Sequence, residues 1–384
     1  MLNYFNEAYP SFGLNPFISH FTLFINYLVV VTFILILKIK NYFNKSEMII
    51  LIITSSSPFF FNNFLFPWDF MYDQKRYFDY AGYIRNFGTF EDININFEKF
   101  LLKDSILYSS IIFAFTPIPF LNHISAIAFA NKLYYISLFA FLRKYQKISK
   151  LSVYFMLFYP SLLAYTSVSL RDIIVDVTGL LALIFFLDKR FISGLIFLFI
   201  CFLIKSYIAL MVLIFIIGFY YFEIFLNYKE KRKYLIFVLF SVISIMLYYD
   251  SIFFDKLNFY MLNLTLEETR QSNYESIDNY FALLFNIIKN FMYSFVSYSS
   301  LNLFRTFVYI ENLFIWIILI YIFIKALKSK KYIAIYWIIS IFLMIGFMDT
   351  VVSNFGSLAR YKFNIFFIFL IGFYYSIFIR NKNA

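Results

Sequence analysis

Apolar runs approaching or exceeding 18 residues recur along most of this 384-residue chain. About 20 such residues, wound as a helix, cross the roughly 30 Å hydrocarbon core of a bilayer. In lipid a helix satisfies its own backbone, so a series of these runs reads as a helical bundle. Only 14% of the residues are charged, against roughly a quarter in a soluble domain. A water-soluble core of this size would lack the polar shell to cover it.

The net charge of +11 raises the question of nucleic acid, but its distribution argues against that partner. More than half of the 33 basic residues sit in six short clusters between apolar runs. The clusters are Lys38-Lys40-Lys45, Arg143-Lys144-Lys147-Lys150, Lys189-Arg190, Lys229-Lys231-Arg232-Lys233, Lys325-Lys328-Lys330-Lys331 and Arg380-Lys382. Clusters of this kind mark cytoplasmic loops. Placing all six inside predicts spans near 17–37, 48–66, 122–142, 151–169, 173–187, 191–204, 207–225, 234–249, 307–324, 332–348 and 364–379. The expected fold is all-α, a polytopic bundle of about eleven transmembrane helices in a single domain, with the N-terminus outside. Met1 to Pro16 carry no Lys or Arg, so no basic-headed signal peptide is expected.

Two apolar stretches fit no span. Residues 105–121 are short and broken by Pro117 and Pro119, and residues 281–304 carry Lys289. Both are expected as re-entrant or amphipathic helices on the outer side, roofing a cavity. Outer loops are expected at 67–104 and 250–280.

Metal and cofactor chemistry has little to stand on. The chain has one cysteine, Cys201, and two histidines, His20 and His123, with no HExxH, GxxxxGK[ST] or GxGxxG pattern. An intrachain disulfide and a cysteine metal cluster are excluded, and no metal or cofactor is expected.

Ionisable residues at membrane depth are expensive, which makes each a site candidate. Arg171 and Asp172 form a hinge before a span of only about 22 Å, too short for a full crossing. The hinge is therefore expected below the outer surface, with Asp176 one turn on along the same face. Lys205 follows another short span and repeats the geometry. Lys132 lies near the middle of the third span. In WDFMYDQKRYFDY, helical spacing puts Asp69, Asp73 and Arg76 on one face of a lid or a surface-lying helix. Arg305 and Glu311 stand at the entry to the ninth span, and Arg360, Tyr361 and Lys362 before the last.

Cations at that depth suit a phosphate or pyrophosphate at the membrane surface, arginine above all because its planar fork matches the oxygens. A carboxylate among Asp69, Asp73, Asp172, Asp176 and Glu311 is positioned to take a proton from an attacking hydroxyl. The substrate-binding set is then Arg76, Arg171, Lys205, Arg305, Arg360, Tyr361 and Lys362.

The segments YPSLLAYTSVSLRD, SLNLFRTFVYIENLFIWIILIYIF and NFGSLARYKFNIFFIFLIGF resemble parts of bacterial O-antigen and capsular polysaccharide polymerases, and are similar in pattern to membrane glycosyltransferases of the GT-C type. The resemblance rests on a Pro-containing helix leading to an Arg-Asp pair (Arg171-Asp172), a Glu on an entering helix (Glu311), and a Gly…Arg-Tyr turn (Gly356, Arg360-Tyr361). It implies a GT-C-like enzyme of the cell (inner) membrane, its active site facing the periplasm or outside. That enzyme would join undecaprenyl-pyrophosphate-linked repeat units in polysaccharide or lipopolysaccharide biosynthesis. Its partners would be polyprenyl-pyrophosphate oligosaccharides, membrane lipids and a chain-length regulator. The alternatives are a GT-C glycosyltransferase using a polyprenyl-phosphate sugar, and a flippase for lipid-linked oligosaccharides.

Overall fold

The computed structural model describes residues 16–62, 71, 73–85, 105–145, 148–267, 276–296, 303–328, 332–351 and 355–379. Among the described residues 87% are helical and none is in a strand. The chain divides into two compact units, residues 1–210 with 374–384, and residues 211–373.

The first unit contains α1 (Pro16–Ile39), α2 (Lys45–Ser55), α3 (Asp73–Arg85), α4 (Ser105–Phe115), α5 (Ala126–Lys144), α6 (Lys150–Phe158), α7 (Pro160–Tyr165), α8 (Asp172–Leu187), α9 (Phe191–Ile204) and the start of α10 (Ser206–Asn227). The second contains the rest of α10, then α11 (Arg232–Tyr248), α12 (Asp250–Glu267), α13 (Tyr280–Val296), α14 (Leu303–Lys328), α15 (Tyr332–Val351) and α16 (Phe355–Tyr374) up to Phe373.

Among the described residues three helices are long and apolar enough to cross a membrane: His20–Ile39 within α1, Ser206–Asn227, and Tyr332–Val351. The described residues are those of an all-helical membrane protein. A fourth span arises if 229–248 and 250–259, bent by 63°, act as one. α4 and α9 are apolar but shorter.

Prolines and caps explain several boundaries. The run 151–169 breaks at Pro160, where Tyr159 turns extended and Pro160 opens α7, because proline has no N–H to continue α6. α4 stops before Pro117 and Pro119 for the same reason. Asn44 caps α2, accepting from the Glu47 N–H at 2.8 Å while Glu47 accepts from the Asn44 N–H at 2.9 Å. The same Glu47 pairs with Arg143 at 3.0 Å, tying α2 to the basic end of α5. Within the segment 250–280, Asp250–Glu267 is helical, as α12. The 281–304 stretch is helical as α13 through Val296, with Lys289 exposed.

The core of the first unit is built on α5 and α8, both buried over most of their circumference. A helix apolar all round must be enclosed by protein or lipid. α9 folds back along α8 through the turn Asp188–Arg190, with Lys189 left-handed at φ 62°. It buries Gly194, Leu198, Cys201 and Ile204 at helical spacing and leaves Ile192, Leu195 and Phe199 exposed. Tyr375 donates to Oδ1 of Asp188 and fastens that closed end.

In the second unit the core is aromatic. The Phe215 ring centroid lies 4.3 Å from that of Trp337 and 5.0 Å from that of Phe369, and Tyr336 donates to the Phe215 carbonyl at 2.8 Å. α13 packs so closely on α15 that a Cβ at Gly346 would strike the Ile287 carbonyl.

Candidate functional site

The α8–α9 hairpin brings its two open ends together. Asp172 opens α8, and Lys205 sits between α9 and α10. The Lys205 Nζ donates to Asp172 Oδ1 at 2.6 Å, with both side chains 1% exposed. A carboxylate in the first turn of a helix is also favoured by the helix dipole. The Lys205 ammonium lies 5.3 Å from the centre of the Tyr207 ring. Lys205, expected as a substrate cation, is thus an ion-pair partner of Asp172.

Asp176 is 1% exposed, and neither of its carboxyl oxygens has a hydrogen-bond partner among the described residues. Beside it on α9, the Cys201 Sγ points at the Val175 carbonyl at 3.9 Å.

Arg171 is only half-buried. Its guanidinium donates to Oγ of Ser105 at the start of α4 and lies 5.9 Å from the centre of the Tyr77 ring, a cation–π geometry. Tyr77 is itself fixed edge-on to Phe113. The arginine therefore meets two helices that the sequence reading did not connect to it.

The loop that carries Arg171, residues 166–170, is held from several sides. On α5, Asn131 donates to the carbonyls of Val168 and Leu170 at 2.9 and 2.8 Å, and Lys132 donates to Thr166 Oγ1 at 2.7 Å. On α3, Gln74 accepts from the Ser169 N–H at 2.8 Å. Gln74 and Asn62 exchange amide hydrogen bonds at 3.0 Å, and Asn62 also donates to Ser125 at 3.1 Å. Ser57 bonds to Ser167, and Ser169 donates to the Ile124 carbonyl. Buried polar groups are stable when partnered in this way, and the result is a loop with little freedom to move Arg171.

α3 reaches the loop because Arg85 anchors its far end. Arg85 donates to the carbonyls of Ala114 at 2.9 Å, Ile118 at 2.5 Å and Thr116 at 2.8 Å. Pro117 and Pro119 bring no N–H, so the end of α4 is left with carbonyls in need of donors. Arg85, Gln74, Asn131 and Ser105 were not singled out from sequence. For Arg85 the signal was available in the TPIP break after an apolar helix.

Asp73 opens α3 and is half-buried, while Arg76 is exposed. The buried face of α3 is Gln74, Tyr77, Phe78, Ala81 and Gly82. Asp69 lies outside the described residues. Arg305 is in the first turn of α14.

The second unit has a polar cluster of its own. Lys362 pairs with Asp349 at 3.5 Å, both side chains at most 5% exposed. Asn290 donates to Thr350 Oγ1 at 3.2 Å. Arg360, half-buried, lies 5.9 Å from the centre of the Tyr361 ring, and Glu311 and Asn312 are buried. Asp349 was missed from sequence, although an acid closing an apolar run is the signal that marked Glu311. Among the described residues no three His, Cys, Asp or Glu side chains converge as metal ligands. Comparison with family models, curated proteins and solved structures returned no match.

Proposed function

We propose that this protein is a membrane glycan polymerase, joining polyprenyl-pyrophosphate-linked oligosaccharide repeat units at the outer face of the cell membrane. The observation that carries the reading is Arg171. Its half-exposed guanidinium is held by Ser105 and Tyr77 at the N-terminus of a short buried helix. A fixed arginine at a helix N-terminus suits a phosphate or pyrophosphate leaving group, since both the fork and the helix dipole favour the anion. Charge stabilisation of this kind is typically the largest contribution to phosphate-leaving chemistry.

The reading includes a polytopic, GT-C-like bundle of about eleven spans. The general base is drawn from Asp69, Asp73, Asp172, Asp176 and Glu311. The same anion chemistry would serve a transferase using a polyprenyl-phosphate sugar. The flippase reading draws on one observation, the buried Lys132 on α5, which among the described residues has no carboxylate partner.

The test is glycan chain length. Arg171→Ala and Arg360→Ala are expected to leave the protein inserted in the membrane and to abolish long chains. Normal chain length in both variants would sink the reading. Build-up of unpolymerised repeat units on the outer leaflet separates a polymerase from a flippase.

A further inference from the structure

One end of the first unit gathers cations from α1, α2, α5, α6 and the α8–α9 turn. Phe141 on α5 meets Phe185 on α8 edge-on at 6.0 Å, and Phe43, between α1 and α2, lies 6.2 Å from Phe139 on α5. These ring contacts set the end of α5 beside the α8–α9 turn on one side and the α1–α2 turn on the other. The Arg143–Glu47 pair at 3.0 Å joins the same ends of α5 and α2. α6 begins at Lys150, a short loop after α5. Lys40, Lys45, Lys144, Lys150, Lys189 and Arg190 therefore share this end, and all of them are exposed.

The acids at this end are engaged elsewhere. Glu47 is buried against Arg143, and Asp188, half-buried, accepts from Tyr375. Among the described residues no carboxylate lies within ion-pair distance of the exposed cations. Lys144 holds its ammonium 5.2 Å from the centre of the Tyr42 ring. Helix dipoles do not account for the whole set. Lys144 closes α5, where a cation is favoured, but Lys45 and Lys150 open α2 and α6, where a cation is opposed.

Exposed lysines are ordinarily just solvated, but these border an apolar surface. Ile39 precedes Lys40 and is 80% exposed, Leu151 follows Lys150, and Phe191 and Ile192 follow Arg190, with Ile192 at 78%. From Ile192 the exposed stripe runs on through Leu195 and Phe199 along α9. On a membrane helix such a stripe faces lipid chains, which sets the neighbouring cations at the depth of the headgroups. An acidic soluble partner would match the cations and leave the stripe uncovered. We propose that this end of the first unit is a binding surface for anionic phospholipid, with Lys45, Lys150, Lys189 and Arg190 on the headgroup phosphates and acyl chains along the α9 stripe. Basic surfaces between membrane helices take anionic headgroups in this way. The surface holds whether or not the chain polymerises glycan.

The experiment is electron spin resonance of the purified full chain in vesicles of equal phosphatidylcholine and phosphatidylglycerol, with a spin label on the chains of one lipid or the other. The protein-bound signal is expected to favour phosphatidylglycerol about fivefold, on the order of one fully engaged basic side chain. Raising salt from about 0.1 M to about 1 M shortens the screening length from about 10 Å to about 3 Å and should remove most of the preference. Combining Lys45→Gln, Lys150→Gln, Lys189→Gln and Arg190→Gln should remove it at low salt. Lys45→Arg, Lys150→Arg and Lys189→Arg together should keep it. The glutamine variant is expected to fold, since the changes at Lys45 and Lys150 relieve opposed helix dipoles, and circular dichroism checks this. No preference in the wild type overturns the proposal, as does an unchanged preference in the glutamine variant. Polyglutamate added at equal charge should leave the preference in place; its loss would mark an acidic protein partner and overturn the lipid surface. None of the substituted residues belongs to the polymerase reading, so failure of that reading would leave these outcomes distinct.

Discussion

Lys205 Nζ and Asp172 Oδ1 meet at 2.6 Å across 33 residues of sequence, each side chain 1% exposed. Removing one member of so buried a pair leaves the other charge without its partner, at a cost of about 3–5 kcal/mol. Lys205→Met is expected to fall in that range by thermal unfolding in detergent. Asp172→Asn is expected to cost clearly less, because Asp176 is at hand for the ammonium. Equal losses in the two variants would show that Asp176 does not compensate.

Arg85 is expected to be the fastening between α3 and α4. Hydrogen bonds from a charged donor contribute about 1.5–3 kcal/mol each in favourable settings, and Arg85 reaches three carbonyls at 2.9 Å or less. Arg85→Ala should therefore cost several kcal/mol. Arg85→Lys should recover only part, since a single ammonium does not reproduce the fork. Hydrogen exchange over residues 105–115 is the measurement, and unchanged protection in Arg85→Ala would remove this role.

Gln74 holds the loop behind Arg171 through Ser169 and Asn62. Gln74→Leu leaves buried amide groups unpaired, about 1–3 kcal/mol for each. Under the polymerase reading it should also shorten glycan chains although Gln74 touches no substrate. Full chain length despite a lowered unfolding temperature would separate loop stability from function.

Asp79 on α3 gives a pH dependence with a definite sign. Burial raises its carboxyl above the ordinary 3.8, with Lys75 opposing. A folded state that binds the proton more tightly than the unfolded one is favoured at low pH. The contribution is fully present below 3.8 and is lost as pH rises through the raised value. Protection of α3 amides should decline over that window in the wild type and show a flatter profile in Asp79→Asn.

Gly346 tests the α13–α15 contact. Gly→Ala inside a helix ordinarily gains about 1 kcal/mol. Here the new Cβ would meet the Ile287 backbone carbonyl, and overpacking costs about 1–3 kcal/mol. The steric term should win, lowering the unfolding temperature; a rise would show that the two helices can separate at little cost.

By itself the sequence determined the solvent and the secondary structure. Long apolar runs with few charges require helices in lipid, because no other open structure satisfies its backbone there. Proline set the ends of α4 and α6, and the short lengths of α8 and α9 marked Arg171, Asp172, Asp176 and Lys205 as unusual. Tertiary structure alone decided how those groups are used. The i to i+4 spacing put Asp172 and Asp176 on one face, but only the hairpin of α8 and α9 brought Lys205 to Asp172 and left Asp176 apart. Likewise, nothing local in the chain joins Arg171 to Ser105 and Tyr77, or Gln74 to Ser169. Such pairings arise when buried polar groups from distant segments must find partners in a core without water. That condition exists only once the helices have packed.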